Sequence, residues 1–443
     1  MYKIKVNKHN LFNDNTTMEC VYKHFAIRCG MMICKKSDGI YVITDEIVKK
    51  CLEDGVSSDK LAIEYADGNY PFVDEESVDE FVKKKCPVDT PVLDSGKNPI
   101  YIIKKGYIKT DSSRTEHYIC KSITGLSDYN LSINADMTVS CQCVLRSEGE
   151  LGSVKEATLK QVMSSKIACG MRNDLYDGFM PTYRCTNCPE LVQVPKSVAQ
   201  YFLKEYQVPK GLMLENTTIC NLRCKGCYNA YLNKDTISEE DMIMISKELM
   251  NNGIQKLYLF KYGEVFADIA INRKIDIIRE YNPQIYICIS TNGMLLDIGN
   301  NMDAALKVDE MVFSLDGVDD DSVIPFQEGA SFNRIYSNMK QLAKMRSTKS
   351  RPEIHWKYAL FLHNDKDNNI KKAFNLAADA EIDYLDFCIG WNVEVRSSTL
   401  WRSEIFEKYM EIYDFKYDKA NNMLLFDLKG NKGWGKTIEY DIY

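Results

Sequence analysis

An α/β fold built around an open, partial (β/α)6 barrel is the architecture this sequence predicts, and three observations predict it. Between Gly211 and Trp391 six strand-like runs alternate with helix-like runs. Parallel neighbours need crossovers of about a dozen residues or more, so the alternation implies a parallel sheet. The chain's unusual polar residues fall just after the strand-like runs, at the strand ends where barrels of this kind carry their chemistry. At 443 residues the chain also has room for two or three domains.

The elements follow from periodicity. GLMLENTT is a strand leading into a cysteine-bearing loop. SEEDMIMISKELMNNG reads as a helix capped by Ser238, with Met242, Ile245 and Leu249 on one face and Gly253 ending it. QKLYLF is the next strand and Ile269 to Glu280 the next helix, followed by the strands QIYICIS and MVFSL. FNRIYSNMKQLAKMR is helical, with Ile335, Met339 and Leu342 aligned; EIHWKYALFL is a strand, IKKAFNLAADA a helix with Ile370, Phe374 and Ala377 aligned, and YLDFCIGW the last strand. This core is placed at residues 208–400. Residues 1–110 read as a small α+β domain, with strand signals in YKIKVN and GIYVITDE and helical ones in EIVKKCLEDG and EESVDEFVKKKC. Asp94 to Pro99 reads as a linker, and residues 116–192 as a cysteine-bearing module. Residues 401–443 read as a helix and a hairpin turning at Gly430 to Gly435.

Composition excludes several classes. The hydrophobic share of 45% and charged share of 27% are those of an ordinary globular protein. A net charge of -7 argues against general nucleic-acid binding, which favours a basic face. No apolar run approaches the ~18 residues of a membrane span. MYKIKVNKHNLFND has no apolar h-region, so no signal peptide is expected and the cytoplasm is the expected compartment. Sixteen cysteines without a secretory signal favour metal or catalytic roles over disulfides. Cys288 and Cys388 lie in strand-like runs and read as core, as does Cys169; Cys20, Cys29, Cys34, Cys51 and Cys86 lack ligand spacing.

Cys220, Cys224 and Cys227, in CNLRCKGC, set three thiols on one short loop with no fourth ligand. A [4Fe-4S] cube takes four ligands, thiolates being the usual ones, so three cysteines leave one iron open to another molecule. Half of a zinc site and reduced, unliganded thiols are the alternatives. Upstream, Cys141 and Cys143 in SCQC and Cys185 and Cys188 in CTNC form two short pairs, preceded by Cys120. Such pairs fit an iron–sulfur cluster, a four-cysteine zinc site or free thiols.

CNLRCKGC closely resembles the cluster loop of the radical SAM superfamily. That resemblance implies a [4Fe-4S] cluster on Cys220, Cys224 and Cys227, with S-adenosylmethionine on the open iron through its amino and carboxylate groups. KYGEVF resembles the family's GGEP-like motif and assigns Gly263 and Glu264 to the methionyl amine, although Tyr262 and Val265 stand where the family prefers Gly and Pro. ISTNG resembles the ribose motif and assigns Ser290 and Asn292 to the cofactor; in SLDG, Ser314 and Asp316 resemble a motif facing the same cavity. Tyr228 is assigned to the adenine side, and Gly226 departs from the bulky residue often found before the third cysteine. For these segments the alternatives are solvated turns and, for Asn-Gly, an ordinary turn dipeptide. In FLHND, His363 and Asn364 would point into the cavity; Trp391 reads equally as core.

INADMTVSCQC, LGSVKEATLKQVMSS and CTNC resemble the SPASM or twitch extensions of the same superfamily, here before the core rather than after it. This implies an auxiliary [4Fe-4S] cluster among Cys120, Cys141, Cys143, Cys185 and Cys188, with zinc as the rival. The run DGIYVITDE to DEFV resembles the small winged-helix element that binds precursor peptides in radical SAM maturases. The whole implies reductive cleavage of S-adenosylmethionine, hydrogen abstraction from a substrate carbon, and a ferredoxin or flavodoxin reductant. The expected substrate is a peptide, with a sugar or nucleoside as runner-up. A non-catalytic metal-binding scaffold is the alternative from another class.

Overall fold

The computed structural model describes residues 31–36, 39–44, 93–94, 99–102, 117–127, 130–141, 150–181, 185, 188, 190–346, 351–389, 404–418, 423–432 and 436–437. The chain divides into two compact units: residues 1–127 with 139–208, and residues 128–138 with 209–443.

In the first unit, strands β1 (Met31–Lys36), β2 (Gly39–Thr44), β3 (Leu93–Asp94) and β4 (Pro99–Ile102) form an antiparallel sheet in the order β2-β1-β4-β3. Asp94 and Pro99, the two ends of the expected linker, pair with each other as strand residues, and residues 95–98 lie outside the described residues. The helices expected in EIVKKCLEDG and EESVDEFVKKKC and the strand in YKIKVN lie outside the described residues, as does most of the winged-helix-like run. Further along, β5 (His117–Cys120) pairs antiparallel with β9 (Leu191–Val194). Between them come strand β8 (Glu150–Ser153) and the helices Leu159–Met163, closed by a Thr158–Gln161 capping box, and Lys166–Tyr176. Arg172 of the latter is buried, donating to the carbonyls of Ile123 and Met163 with its guanidinium 3.7 Å above the Tyr206 ring. A buried cation is tolerated when acceptors meet most of its donors, as they do here for both terminal nitrogens, although Arg172 Nε has no hydrogen-bond partner among the described residues.

In the second unit, β10 (Gly211–Leu214), β11 (Lys256–Leu259), β12 (Tyr286–Thr291), β13 (Glu310–Ser314), β14 (Glu353–Leu360) and β15 (Tyr384–Ile389) are parallel neighbours in chain order. Helices Glu239–Asn251, Ile271–Tyr281, Phe332–Met345 and Asp367–Asp379 stand among the connections where periodicity places them. Ser238 caps the first by accepting from the Asp241 amide, and Gly253 follows it at φ +61°. A seventh parallel strand, β6 (Leu131–Ile133), pairs with β10 through Met213↔Ser132 and Leu214↔Ile133; sequence reading placed it in the cysteine module.

Alternation divides each strand between two faces. Leu257, Leu259, Ile287, Ile289, Met311, Phe313, Ile354, Trp356, Leu385 and Phe387 share the face that meets the helices and are wholly buried. Each such side chain contributes roughly 1.5–3 kcal/mol by leaving water. The opposite face carries Tyr286, Ser290, Glu310, His355, Lys357 and Asp386, and is polar.

The tail departs from its expected hairpin. Met423–Asp427 (β17) pairs antiparallel with β15 and with Asp414–Asp418 (β16), the strand before it, while Lys436–Thr437 lies parallel to β16. Aromatic packing fixes the helix Glu404–Ile412, whose Tyr409 stacks on Phe374 at 3.6 Å between ring centroids. Trp391 lies outside the described residues. Among the described residues no helix is long and apolar enough to cross a membrane.

Candidate active site: the cysteine loop and the strand ends around it

After β10 the chain enters a run of buried polar residues, Glu215 to Thr218, which anchors the loop bearing the cysteines. The Thr218 hydroxyl donates to the Asn233 carbonyl at 2.6 Å and accepts from the Asp235 amide at 2.8 Å. Asn229 donates its side-chain amide to the carbonyls of Thr218 (2.6 Å) and Tyr262 (3.0 Å), and Lys234 donates to the Asn229 Oδ1 at 2.8 Å. The loop's other side is held by backbone bonds from Arg223 to Glu328 and from Lys225 to Phe326. Gly226 adopts φ +64°, the left-handed region that favours glycine, so the small residue before the third cysteine has a conformational reason.

Cys220, Cys224 and Cys227 all stand partly buried on this loop. Burial first, then the neighbouring Cys227 and Cys220 thiols, push the Cys224 thiol up to about 12. Cys220 is raised likewise, by burial first and then by Glu264 and Cys227. Among the described residues no three His, Cys, Asp or Glu side chains converge to hold a single metal ion. Three neighbouring cysteines, two of them with ionisation disfavoured by burial and by the other thiols, suit a cationic group that takes each as thiolate, and an iron–sulfur cube is such a group. The donor set therefore fits the implied cluster, held by Cys220, Cys224 and Cys227.

The loop after β11 lies against the cysteine loop. A Cβ at Gly263 would sit 2.0 Å from the Thr217 carbonyl oxygen, so only glycine allows this approach. The Glu264 amide donates to the Ile219 carbonyl at 2.8 Å. Its carboxylate is buried and accepts from the Thr291 hydroxyl (2.6 Å), the Asn292 amide (2.8 Å) and the Phe266 amide (3.2 Å). Burial raises its pKa, and those three donors lower it. Glu264 thus ties the ends of β11 and β12 together.

Asn292 completes the brace: its side-chain amide donates to Asn221 Oδ1 at 2.9 Å and approaches the Cys220 sulfur at 3.9 Å. Ser290 and Ser314 share a hydroxyl hydrogen bond of 3.2 Å across β12 and β13. Asp316 is buried, accepts from the Ala359 amide at 2.7 Å, and has its pKa raised to about 6, chiefly by burial. It stands near enough to Cys224 to raise that thiol. Tyr228 is exposed, with its ring edge-on to Tyr262 at 6.2 Å.

Asn364 departs from the expected cavity position. It is wholly buried, donating to the carbonyls of Asp316 and Ala359 and accepting from the Phe361 amide. It shapes the turn that holds Asp316. His363 is half-buried beside it, its Nε2 without a partner, and its pKa is lowered by burial and by Lys225. Sequence reasoning missed Asn221, Thr291, Asn229 and Lys234. Their residue types are common in turns, and only the Thr-Thr and Asn-rich flanks of the cysteine loop signalled them.

In the first unit, Cys120 ends β5, opposite Leu191 in register, and Leu191 bonds back to the Cys188 carbonyl. This brings Cys120 near Cys185 and Cys188. Burial first, then those two thiols, raise Cys120 to about 12. Cys141 ends strand β7 (Thr138–Cys141), and Cys143 lies outside the described residues.

Solved structures similar to this chain include Streptococcus suis SuiB bound to precursor peptide SuiA, at 15% identity and TM-score 0.39, covering 49% of this chain and 50% of that one. TYW1 with a lysine-pyruvate adduct is similar at 13% identity and TM-score 0.37, covering 50% and 79%. Native anSMEcpe with bound AdoMet is similar at 17% identity and TM-score 0.32, covering 40% and 50%. The chain thus spans half the length of the SuiB chain it matches. No curated protein matches it. The stretch that carries Cys220, Cys224, Cys227 and the ends of β11, β12, β13 and β14, residues 214–377, matches the model of the radical SAM superfamily.

Proposed function

We propose that this chain is a radical SAM enzyme modifying a peptide. The observation that carries the proposal is the braced loop that sets Cys220, Cys224 and Cys227 together, with burial and the neighbouring thiols raising Cys220 and Cys224. When bound, the cluster and S-adenosylmethionine supply a 5'-deoxyadenosyl radical able to take hydrogen from an unactivated carbon. The protein's part is placement. Gly263 brings the loop after β11 against the cysteine loop, Glu264 and Asn292 lock β11, β12 and the Cys220 turn, and Asp316 puts a buried carboxyl beside Cys224. Ser290, Ser314 and Tyr228 offer hydroxyl and ring groups for the cofactor's ribose and adenine. A ferredoxin or flavodoxin would deliver the electron.

Cys120, Cys185 and Cys188, with Cys141 or Cys143 as a further ligand, would hold an auxiliary [4Fe-4S] cluster in a SPASM- or twitch-like module. Their mutual approach supports that reading. A peptide substrate is supported by the small sheet in which β2, six residues long, is an edge among the described strands. An extended peptide can add to such an edge through its backbone.

The test is anaerobic purification and reconstitution, an iron and sulfide count, and an assay of 5'-deoxyadenosine after adding S-adenosylmethionine and dithionite. Wild type should form it and Cys224→Ala should not. Iron-free wild-type protein that forms none would overturn the proposal and favour a metal-binding scaffold.

A further inference from the structure

The polar face of β12 to β15 holds charged groups that the cysteine site does not use. Lys357 stands at its centre, flanked in register by Ser314 on β13 and Asp386 on β15. Its neighbours are already occupied. Ser314 bonds Ser290, Glu310 accepts from the Tyr286 hydroxyl at 2.7 Å, and Asp386 Oδ2 pairs with His355 Nδ1 at 2.7 Å. Lys357 itself makes no side-chain hydrogen bond or ion pair with any described residue. Beside it, Asp386 is 2% exposed, yet its Oδ1 has no hydrogen-bond partner. An unpaired buried carboxylate oxygen next to an unpaired ammonium is costly unless a third molecule takes both.

The pair asks for a group with an anionic oxygen for the ammonium and an N–H or O–H donor for the carboxylate oxygen. An acidic residue within a peptide offers both, through its side-chain carboxylate and its own amide. A hydrogen phosphate could donate an O–H, but it brings more negative charge towards Asp386 and Glu310, so the face favours the carboxylate. The position is also close to the chemistry. The Lys357 charge acts on Asp316, and Asp316 in turn acts on Cys224. Asp316 itself accepts from the amide of Ala359, two residues beyond Lys357 on the same strand.

We propose that Lys357 and Asp386 receive an acidic residue of the substrate, its carboxylate on Lys357 Nζ and its amide N–H on Asp386 Oδ1. This rests on the radical SAM peptide reading given above. The probes are N-acetylglutamate N-methylamide, its glutamine counterpart and inorganic phosphate, titrated by NMR into the reconstituted protein. Wild type should bind the glutamate compound at millimolar concentration, and the glutamine compound roughly tenfold more weakly. Lys357→Met should lose that discrimination, Lys357→Arg should retain it, and Asp386→Asn should weaken both compounds alike, since they share the amide N–H. Equal binding of both compounds by wild type, unchanged binding by Lys357→Met, or phosphate binding as tight as the glutamate compound would each overturn the assignment. Deoxyadenosine is measured on the same samples without any probe. Its absence from wild type removes the radical reading, whereas its presence in wild type and Lys357→Met with no glutamate preference removes the anchor alone.

Discussion

Asn292, at the end of β12, donates its side-chain amide to Asn221, the residue that follows Cys220, at 2.9 Å. The first cysteine is therefore positioned by a strand more than seventy residues downstream. The brace is direct, polar and largely buried, and it makes the cysteine loop depend on the register of the sheet.

Asn292→Ala removes that bond and leaves Asn221 without this donor. A lost hydrogen bond of this kind costs roughly 1 kcal/mol or more. We expect S-adenosylmethionine affinity to fall by roughly five- to tenfold with the fold retained, checked by equilibrium dialysis of the reconstituted protein. Unchanged affinity would separate Asn292 from the cofactor site.

Gly263→Ala should be far more damaging than its size suggests. Its Cβ would meet the Thr217 carbonyl at 2.0 Å, so the two loops must part. Iron content after reconstitution should fall by at least about half, with a lowered melting temperature, since overpacking typically costs roughly 1–3 kcal/mol.

His355 gives the protein an alkaline sensitivity. Burial lowers its pKa, but Asp386 and then Glu310 and Glu353 outweigh burial and raise it from 6.5 to about 9. A raised folded pKa means that the stabilisation is complete below about pH 6.5 and is lost as pH rises through about 9. The difference corresponds to about 3 kcal/mol. Urea midpoints of wild type should decline across that window, and those of His355→Gln should stay flatter.

Cys120→Ser tests the upstream cysteines separately. Iron should fall from about eight to about four per chain while deoxyadenosine formation persists. Loss of one zinc with iron unchanged would make that module a zinc site instead.

The parallel core was legible because its helices and strands carry their own periodicity. Ile335, Met339 and Leu342 could be aligned from spacing alone, and all three are buried. What escaped were relationships between segments distant in the chain. INADMTVS gives no local sign that Leu131–Ile133 pairs with β10, because a parallel partner leaves no turn beside it. The tail misled for the converse reason: Gly430 to Gly435 looked like a hairpin turn, yet Met423–Asp427 had an earlier partner in Asp414–Asp418. At the site, the motif residues were legible and their partners were not. Glu264 suggested an ammonium ligand, and its position shows three donors already on its carboxylate. The alternation in EIHWKYAL set His355 and Lys357 opposite Ile354 and Trp356, a signal that was available and passed over.

The path of the chain also limits how the molecule can be taken apart. Residues 128–138 belong to the second unit, although the chain on both sides of them belongs to the first. A fragment beginning at Pro209 would keep every cysteine of the 220–227 loop yet lose β6. It would bare the β10 edge and strip Lys261 of Ser132 and Asn134, to which it donates at 3.0 and 2.6 Å. An open strand edge invites association with other chains. A cut after residue 208 leaves the first unit carrying residues 128–138 of the second, so the second unit cannot be expressed whole without the first.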